Sequence, residues 1–270
     1  MTAIPLIVAA DDFGLTDATC DAVLDAADRG VVTATSVLAL APAARTRTAE
    51  LADGPLAVGV HLALVGEDPP LLSAREIPTL VDERGRLASS WRSLVPRLAA
   101  GRVDRADVRR ELGAQIDAVA AHLHPDHLDA HQHLQLWSTV ADAVIDLAVE
   151  RGIARVRVPR PSRSSVRNLA VSRMADRLAR RVDAADLTRT DRFRGLDEAG
   201  RWSTASLVAA LEELAGGHGS VEINLHPGAP TDPDRGRYRW GYRWGQELDA
   251  ACAQEVVDAV ERLGFELVGR

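Results

Sequence analysis

The sequence predicts an α/β fold, a (β/α)-barrel-like, distorted TIM-type barrel of about seven to eight largely parallel strands. Short apolar runs rich in β-branched residues alternate with segments of helical spacing, and this alternation is typical of repeated β–α units with a parallel sheet. The length of 270 residues and the hydrophobic content of 46% suit one large domain. No change of composition and no internal repeat divides the chain, so residues 1–270 are expected to form a single domain.

Local patterns predict the individual elements. The helix after the first strand has Thr16 as its N-cap, Asp17 in its first turn and Gly30 after its last apolar position, which are usual signals for a helix start and stop. Gly14 is then expected in the turn between strand and helix. Seven apolar runs are predicted as strands, namely Pro5–Ala10, Thr35–Leu40, Leu56–Leu64, His127–His131, Ala154–Val158, Ser220–His226 and Phe265–Val268.

Two long segments rich in proline, glycine and charge interrupt this alternation. Residues 65–103 are expected to form a lid-like insertion, and residues 227–244 are expected to form an active-site loop. Both are longer than ordinary connections in a compact domain, and long loops of this kind often carry function.

The composition limits the classes of partner and of chemistry. The net charge of −7 argues against a nucleic-acid partner. All 32 basic side chains are arginine, which excludes a Schiff-base lysine and a Walker-type phosphate loop. No membrane span of about 18 apolar residues and no signal-peptide pattern are present, so a cytoplasmic location is expected. Cys20 and Cys252 lie far apart in helical patterns, so neither a disulfide nor a thiolate zinc site is expected.

The first predicted strand ends in two adjacent carboxylates, Asp11 and Asp12. Neighbouring residues on a strand point to opposite faces, so one aspartate could cap the next helix while the other faces water. Histidines at the ends of other predicted strands favour a shared site instead, because the carboxyl ends of parallel barrel strands meet on one rim. Apolar strands also gain nothing from buried imidazoles. These histidines are His61, His131, His133 and His226.

Two or three imidazoles with a carboxylate form a metal site of mixed nitrogen and oxygen donors. Such a set suits a divalent ion such as zinc, manganese, iron, cobalt or nickel rather than calcium. Without thiolates the site is predicted to be catalytic, with an open position for a water whose pKa the metal lowers. If Asp12 is a ligand and Asp11 is not, Asp11 can take the proton of that water as general base.

Four short motifs, "ADDFGLT", "GVHLAL", "DAHQH" and "NLHPG", resemble those of the YdjC-like family of carbohydrate deacetylases in order and spacing. The resemblance runs from about Ile4 to the C-terminus and includes the late "RWGQEL" stretch. It implies a barrel-like fold and one divalent metal ion, for which we expect magnesium or zinc, with manganese, cobalt or nickel as further possibilities. The implied ligands are Asp12, His61 and His131, the implied base is Asp11, and His226 is implied to protonate the leaving amine or to hold the oxyanion.

The sequence departs from the family pattern at Gln135, where many members carry a third histidine after the acid. Either that histidine is not a ligand in the family, or the metal affinity of this protein is changed. His133 would share a strand face with His131, although two ligands from one strand are not required. Asp129 either orients a neighbouring imidazole or is a loop carboxylate, and both interpretations stay open.

Aromatic residues occupy every second position late in the active-site loop. Two of them, Trp240 and Trp244, are candidates for a platform under pyranose rings, although packing against the barrel or a second subunit is slightly favoured. Arg157 lies near the end of a predicted strand and either binds a sugar hydroxyl or an anion, or lies on a solvated rim. The four aromatic residues are Tyr238, Trp240, Tyr242 and Trp244, and the histidines expected on the surface are His122, His124, His127 and His218.

The expected activity is a metal-dependent hydrolysis that removes an N-acetyl group from an amino sugar by metal-activated water. The substrate is expected to be chitooligosaccharide-like or another N-acetylglucosamine conjugate. The alternatives are another metallohydrolase, either a phosphoesterase or an amidohydrolase, and a non-catalytic sugar-binding protein. Those other hydrolases commonly carry a His-x-His motif on the first strand, where this chain carries acids. The expected partner is a small N-acetylated sugar, and the resemblance suggests a homodimer.

Overall fold

The structure is a computed structural model that describes residues 3–163 and 165–269. Its strands in this part of the chain are β1 (Ile4–Phe13), β2 (Ala34–Val37), β3 (Ala57–Leu62), β4 (His127–Ala130), β5 (Arg155–Val156), β6 (Arg192–Arg194), β7 (Val221–Leu225) and β8 (Phe265–Leu267). The strand order is β5-β4-β3-β2-β1-β7-β6, and β8 pairs with the first residues of β1. All of these strand pairs are parallel.

Helices follow most of the strands along the chain. In the described ranges they are α1 (Asp17–Arg29), α2 (Ala44–Arg47), α3 (Trp91–Ala99), α4 (Arg105–Ala120), α5 (Ser138–Arg151), α6 (Val166–Ala184), α7 (Thr204–Ala215), α8 (Trp244–Cys252) and α9 (Gln254–Arg262). The predicted caps of α1 are confirmed, since Thr16 accepts a hydrogen bond from the Thr19 backbone N–H and Gly30 follows the last helical residue. Within the described residues, no helix combines the length and apolar character that a membrane crossing requires.

The predicted barrel-like fold is confirmed, in the form of a half-barrel. β5 and β6 are the two ends of the strand order, and an isolated parallel bridge joins Arg155 of β5 to Thr188 ahead of β6. Strand β6 was not predicted from the sequence. It is three residues long, and only Phe193 is buried between two half-buried arginines, so its pattern is too short to separate a strand from a loop.

The core lies between the sheet and the helices around it. One continuous cluster of buried apolar side chains extends from Leu6 in β1 to Phe265 in β8. All residues of β1 after its first two are buried, as expected for a central parallel strand that is covered on both faces. The carboxylates at the end of this strand are therefore buried as well.

Gly59 in β3 leaves room for the ring of His127 on the adjacent strand β4. A Cβ atom at Gly59 would lie under 3.0 Å from that ring. We expect Gly59→Ala to lower the free energy of unfolding by about 1–3 kcal/mol, because overpacking forces side chains or backbone to shift. Gly113→Ala in α4 is the control, since its Cβ would lie 3.6 Å from Leu147 and alanine favours a helix by about 1 kcal/mol. Urea unfolding of both variants tests this, and an unchanged stability of Gly59→Ala would contradict it.

The insertion at 65–103 and the loop at 227–244 lie against each other. Asp68 accepts hydrogen bonds from the Tyr238 hydroxyl at 2.9 Å and from Arg237. Glu67 accepts one from Trp240 Nε1 at 3.1 Å. These contacts hold the loop at residues 227–244 over the carboxyl ends of the strands, where the polar residues described next are found.

Candidate metal centre

The two adjacent carboxylates of β1 reach the same site because the strand is irregular there. The pairing of β1 with β2 shifts in register between Ala10 and Phe13, and Asp12 has a φ of 67°. A bulge of this kind changes the direction of a side chain, whereas regular strand geometry would send Asp11 and Asp12 to opposite faces. Left-handed backbone at a residue other than glycine costs of order 1–3 kcal/mol and is common at functional sites.

Three nitrogen and oxygen atoms converge beside this bulge. Asp12 Oδ1 lies 3.4 Å from His61 Nε2 and 3.5 Å from His131 Nδ1, and the two imidazole nitrogens lie 3.3 Å apart. Both carboxylate oxygens of Asp12 are buried without a hydrogen-bond partner, as is Nε2 of His131. The structure therefore brings together the three residues that the sequence predicted as metal ligands.

The spacing of these three atoms fits a divalent cation. The centre of a triangle with sides of 3.3–3.5 Å lies about 2.0 Å from each corner, which matches Zn–N distances of about 2.0–2.1 Å and similar Mg–O distances. His61 Nδ1 donates to Asp129 Oδ1 at 2.8 Å, and such a bond fixes the ring that presents Nε2 to a metal. Asp129 is fully buried in β4, which favours its orienting role over that of a loop carboxylate.

The charge balance also fits a cation. Arg157 is buried and pairs with three carboxylates. It donates two hydrogen bonds of 2.7 and 2.8 Å to Asp11 and one of 2.5 Å to Glu222, and it forms an ion pair with Asp129 at 2.6 Å. With Asp12, the cluster contains four buried carboxylates beside the Arg157 guanidinium, and uncompensated buried charge is costly. Arg157 lies inside the cluster and not on a solvated rim, so the rim interpretation was wrong.

The pKa shifts follow from this excess of negative charge. Burial lowers the pKa of His61, but the carboxylates of Asp129, Asp11 and Asp12 raise it to about 9. Burial raises the pKa of Asp11, but Arg157 holds it well below its usual range, so Asp11 is ionised at neutral pH. Asn224 Nδ2 also donates to Asp11 Oδ2 at 3.0 Å.

His226 directly follows β7. In the sheet, β7 lies on one side of β1, and the strands β3 and β4 that lead to His61 and His131 lie on the other. Its Nε2 lies 3.9 Å from Asp11 Oδ2, and its Nδ1 lies 3.6 Å from Glu247 Oε2. Glu247 also accepts bonds from the backbone N–H groups of His226 and Trp202. Burial lowers the pKa of His226, but Glu247, Asp12 and Asp11 together raise it more, so the net shift is upward. The protonated imidazole is therefore favoured, as a proton donor requires.

The chain after β4 does not continue as a strand. His131–Leu136 is a 3-10 segment in which Gln132 and His133 have left-handed φ values of 53° and 54°. The expectation that His131 and His133 share a strand face was therefore wrong. The His133 ring lies 6.0 Å from that of Phe193, and burial together with Arg157 lowers its pKa to about 3. His133 is thus a neutral imidazole outside the Asp12 donor set.

Gln135 supports the backbone of the site. Its side chain is fully buried, and Nε2 lies 3.5 Å from the backbone oxygen of Arg157. The atoms of Asp12, His61 and His131 converge with glutamine at position 135, so this departure from the family pattern leaves that set intact.

The four alternating aromatic residues, here called the aromatic wall (Tyr238, Trp240, Tyr242 and Trp244), form one contact cluster. The ring of Trp240 lies 4.8 Å from that of His131, and the ring of Tyr242 lies 4.7 Å from that of His226. Tyr238 and Trp244 are buried, whereas Trp240 and Tyr242 are half-buried. The wall therefore packs on the barrel, as the favoured interpretation predicted, and also borders the site.

His127 is buried, contrary to the prediction of a surface position. It begins β4 at the end of the barrel opposite the site, and its Nδ1 lies 2.5 Å from Asp126 Oδ1. The space that Gly59 leaves explains how the ring enters the sheet. His122, His124 and His218 are exposed, as predicted.

Several residues that complete the site were missed by the sequence reasoning. A usable signal existed for two of them, because Glu222 and Asn224 precede His226 at every second position of a predicted strand and so share its face. Ser36, whose hydroxyl lies 3.3 Å from His61 Nδ1, gave no such signal in β2. Glu247 belonged to the late motif but had no assigned role.

A half-barrel of parallel strands with a buried acid and imidazole cluster at the carboxyl ends defines a class of α/β proteins whose site lies on that rim. The family model described as YdjC-like protein matches residues 5–262. The chain belongs to the YdjC-like family.

Relatives extend over nearly the whole chain. The carbohydrate deacetylase of Enterococcus faecalis is 28% identical over 97% of this chain and 95% of its own length. The carbohydrate deacetylase of Mus musculus is 31% identical over 86% of this chain and 80% of its own length. The crystal structure of a proposed cellobiose-phosphate cleavage protein from Enterococcus faecalis matches with a TM-score of 0.80 and 26% identity, covering 99% of this chain and 98% of that one.

Proposed function

We propose that this protein is a metal-dependent carbohydrate deacetylase that hydrolyses the N-acetyl group of an amino sugar. The observation that carries this proposal is the convergence of Asp12, His61 and His131 within 3.5 Å of one another, with Asp11 and His226 beside them. Membership of the YdjC-like family and the relatives named carbohydrate deacetylase support the choice of reaction.

Asp12, His61 and His131 would hold the cation. When bound, a divalent cation supplies Lewis-acid chemistry, since it lowers the pKa of water and withdraws charge from a carbonyl oxygen. Zinc and magnesium are the first candidates for the ion. Zinc binds imidazole nitrogen and carboxylate oxygen at about 2.0–2.2 Å, and magnesium binds oxygen donors at about 2.0–2.1 Å.

Asp11 is the proposed general base. It lies next to the donor set but outside it, and Arg157 and Asn224 hold its carboxylate in a fixed, ionised state. A positioned carboxylate of this kind can accept the proton of an attacking water, a contribution of about 10²–10⁴-fold in rate.

His226 is the proposed general acid. Glu247 beside Nδ1 favours the imidazolium, and Nε2 faces the cluster near Asp11. Amide hydrolysis needs a proton on the leaving nitrogen, because an amine anion is a poor leaving group. His226 can therefore give its Nε2 proton to the sugar amine while Asp11 holds the proton taken from water.

The electrostatics of the site disfavour a phosphoesterase. A phosphate group is recognised by free guanidinium or ammonium groups, but Arg157 is fully engaged by Asp11, Asp129 and Glu222. A substrate with a neutral acetamide meets no comparable repulsion from these carboxylates.

Acetate release from N,N'-diacetylchitobiose tests the proposal. The protein is stripped of metal with a chelator and then reloaded with zinc, magnesium, manganese or cobalt. We expect no acetate from the stripped protein and restored release with at least one ion. Absence of release with every ion, for this disaccharide and for a panel of other N-acetylglucosamine conjugates, would contradict the proposal, and a phosphatase panel would then be the next measurement.

A further inference from the structure

We infer that Tyr242 is a further catalytic residue, whose hydroxyl donates a hydrogen bond to the acetyl oxygen of the bound substrate. This inference rests on the proposed deacetylase function and adds a residue to it. Three observations support the inference: the Tyr242 ring lies beside His226, the ring is packed against Gly200, and the hydroxyl has no hydrogen-bond partner among the described residues.

The Tyr242 ring borders the space between the proposed acid and the donor set. Its centroid is 4.7 Å from that of His226 and 5.7 Å from that of Trp240. Trp240 in turn packs against His131 of the donor set at 4.8 Å. An acetamide between the donor set and the proposed acid therefore has Tyr242 beside it.

The ring is held rigidly from behind. It lies so close to Gly200, whose φ is +72°, that a Cβ atom there would overlap the ring. The Arg243 backbone N–H donates to the Gly200 oxygen at 2.8 Å, and the Trp244 ring lies 5.2 Å away. A glycine is needed here both for the positive φ and for the close approach. Rigid support of this kind is what a positioned hydrogen-bond donor requires.

The Tyr242 hydroxyl has no hydrogen-bond partner among the described residues, since none of their hydrogen bonds involves it. Tyr238 in the same aromatic wall differs, because its hydroxyl donates to Asp68 Oδ2 at 2.9 Å. A phenol with a pKa of about 10 or above is protonated at neutral pH, so the Tyr242 hydroxyl can donate to a substrate.

The acetyl oxygen is the acceptor that most needs such a donor. Negative charge develops on it during attack by water, and fixed donors aimed at that charge lower the barrier. Arg157 is engaged by three carboxylates and cannot turn toward the substrate. His226 has its proton assigned to the leaving amine, which leaves the Tyr242 hydroxyl for the oxygen.

Tyr242→Phe removes the hydroxyl and keeps the ring. Thr188→Val is the control for loss of a hydroxyl, because the Thr188 hydroxyl donates to the Ala154 oxygen at 3.0 Å, at the end of the strands opposite the site. Steady-state kinetics on N,N'-diacetylchitobiose are measured for the metal-loaded proteins together with metal content and melting temperature. For Tyr242→Phe we expect kcat and kcat/KM to fall together by about 100-fold, the typical loss for one donor to an oxyanion. Its KM and metal content should stay unchanged, and the kinetics of Thr188→Val should equal those of the wild type.

The outcomes separate this inference from the proposed function. An active wild type with an unchanged Tyr242→Phe, or with a Tyr242→Phe that changes only KM, would overturn the role of Tyr242 alone. An inactive wild type on this disaccharide and on the conjugate panel would overturn the deacetylase function and with it the role of Tyr242. Gly200→Ala gives an independent test, because it displaces the ring while the hydroxyl is retained, and it should also lower kcat.

Discussion

His61→Ala is expected to abolish metal binding and, with it, the hydrolysis of N-acetylated sugars. The substitution removes one of three atoms that lie within 3.5 Å of one another. Loss of a hydrogen-bonded partner behind a ligand typically costs about 10–100-fold in metal affinity, so loss of the ligand itself should cost more than about 100-fold. Asp129→Asn weakens the support of His61 at Nδ1 and the ion pair with Arg157 but leaves all three donor atoms in place, so it should lower the metal affinity by about 10–100-fold.

His127→Ala is a closely matched control for this prediction. His127 is also a buried histidine with an aspartate at Nδ1, but it lies at the opposite end of the barrel strands. Metal titration by calorimetry, at a temperature where all variants are folded, compares the three proteins. Equal metal affinity of His61→Ala and His127→Ala would show that the donor set assigned to Asp12, His61 and His131 is incorrect.

Asp11→Asn is expected to lower kcat by about 10²–10⁴-fold, the range for loss of a general base, while the bound metal is retained. An amide cannot accept the proton of the attacking water, but it keeps the size of the carboxylate. Arg157 keeps its bonds to Asp129 and Glu222, so the guanidinium is not left unpaired. Acetate release and metal content, measured on the same preparation, separate the loss of base from a loss of metal.

Asp126→Asn is the control for the loss of a carboxylate bonded to arginine. Asp126 pairs with Arg155 and His127 at the far end of β4, so its amide variant should keep the kcat of the wild type. If metal-loaded Asp11→Asn retained more than about a tenth of the wild-type kcat, Asp11 would be excluded as the base. The loss would then be smaller than the roughly 10²–10⁴-fold contribution of general-base catalysis.

Buried ion pairs connect Asp11 to His61, the two residues whose substitution is predicted above to have the largest effects. Arg157 pairs with both Asp11 and Asp129, and Asp129 accepts a hydrogen bond from His61. The proposed base and one proposed ligand are thus held by the same buried guanidinium. Fixed groups of this kind need no rearrangement during reaction, which is the main source of electrostatic catalysis.

The sequence alone determined most of the strands along the chain and the residue types of the candidate site. Apolar runs with β-branched residues identified seven of the strands, because burial on both faces requires such runs. Polar residues at the ends of those runs indicated a site, because burying a polar side chain in an apolar strand is unfavourable without a partner. These residues are Asp11, Asp12, His61 and His226. Motif order then allowed Asp12, His61 and His131 to be expected together before any distance was known.

Only the tertiary structure decided how those residues are used. A bulge with a left-handed Asp12 turns both carboxylates of β1 toward one site, against the alternation of a regular strand. Arg157 lies in the cluster because it pairs with Asp11, which is distant in sequence. His127 is buried because Gly59 on the neighbouring strand leaves room for its ring. Local patterns report which residues are apolar and how they repeat. Which polar groups neutralise one another inside the barrel depends on packing between strands, and this is why it was decided by the fold.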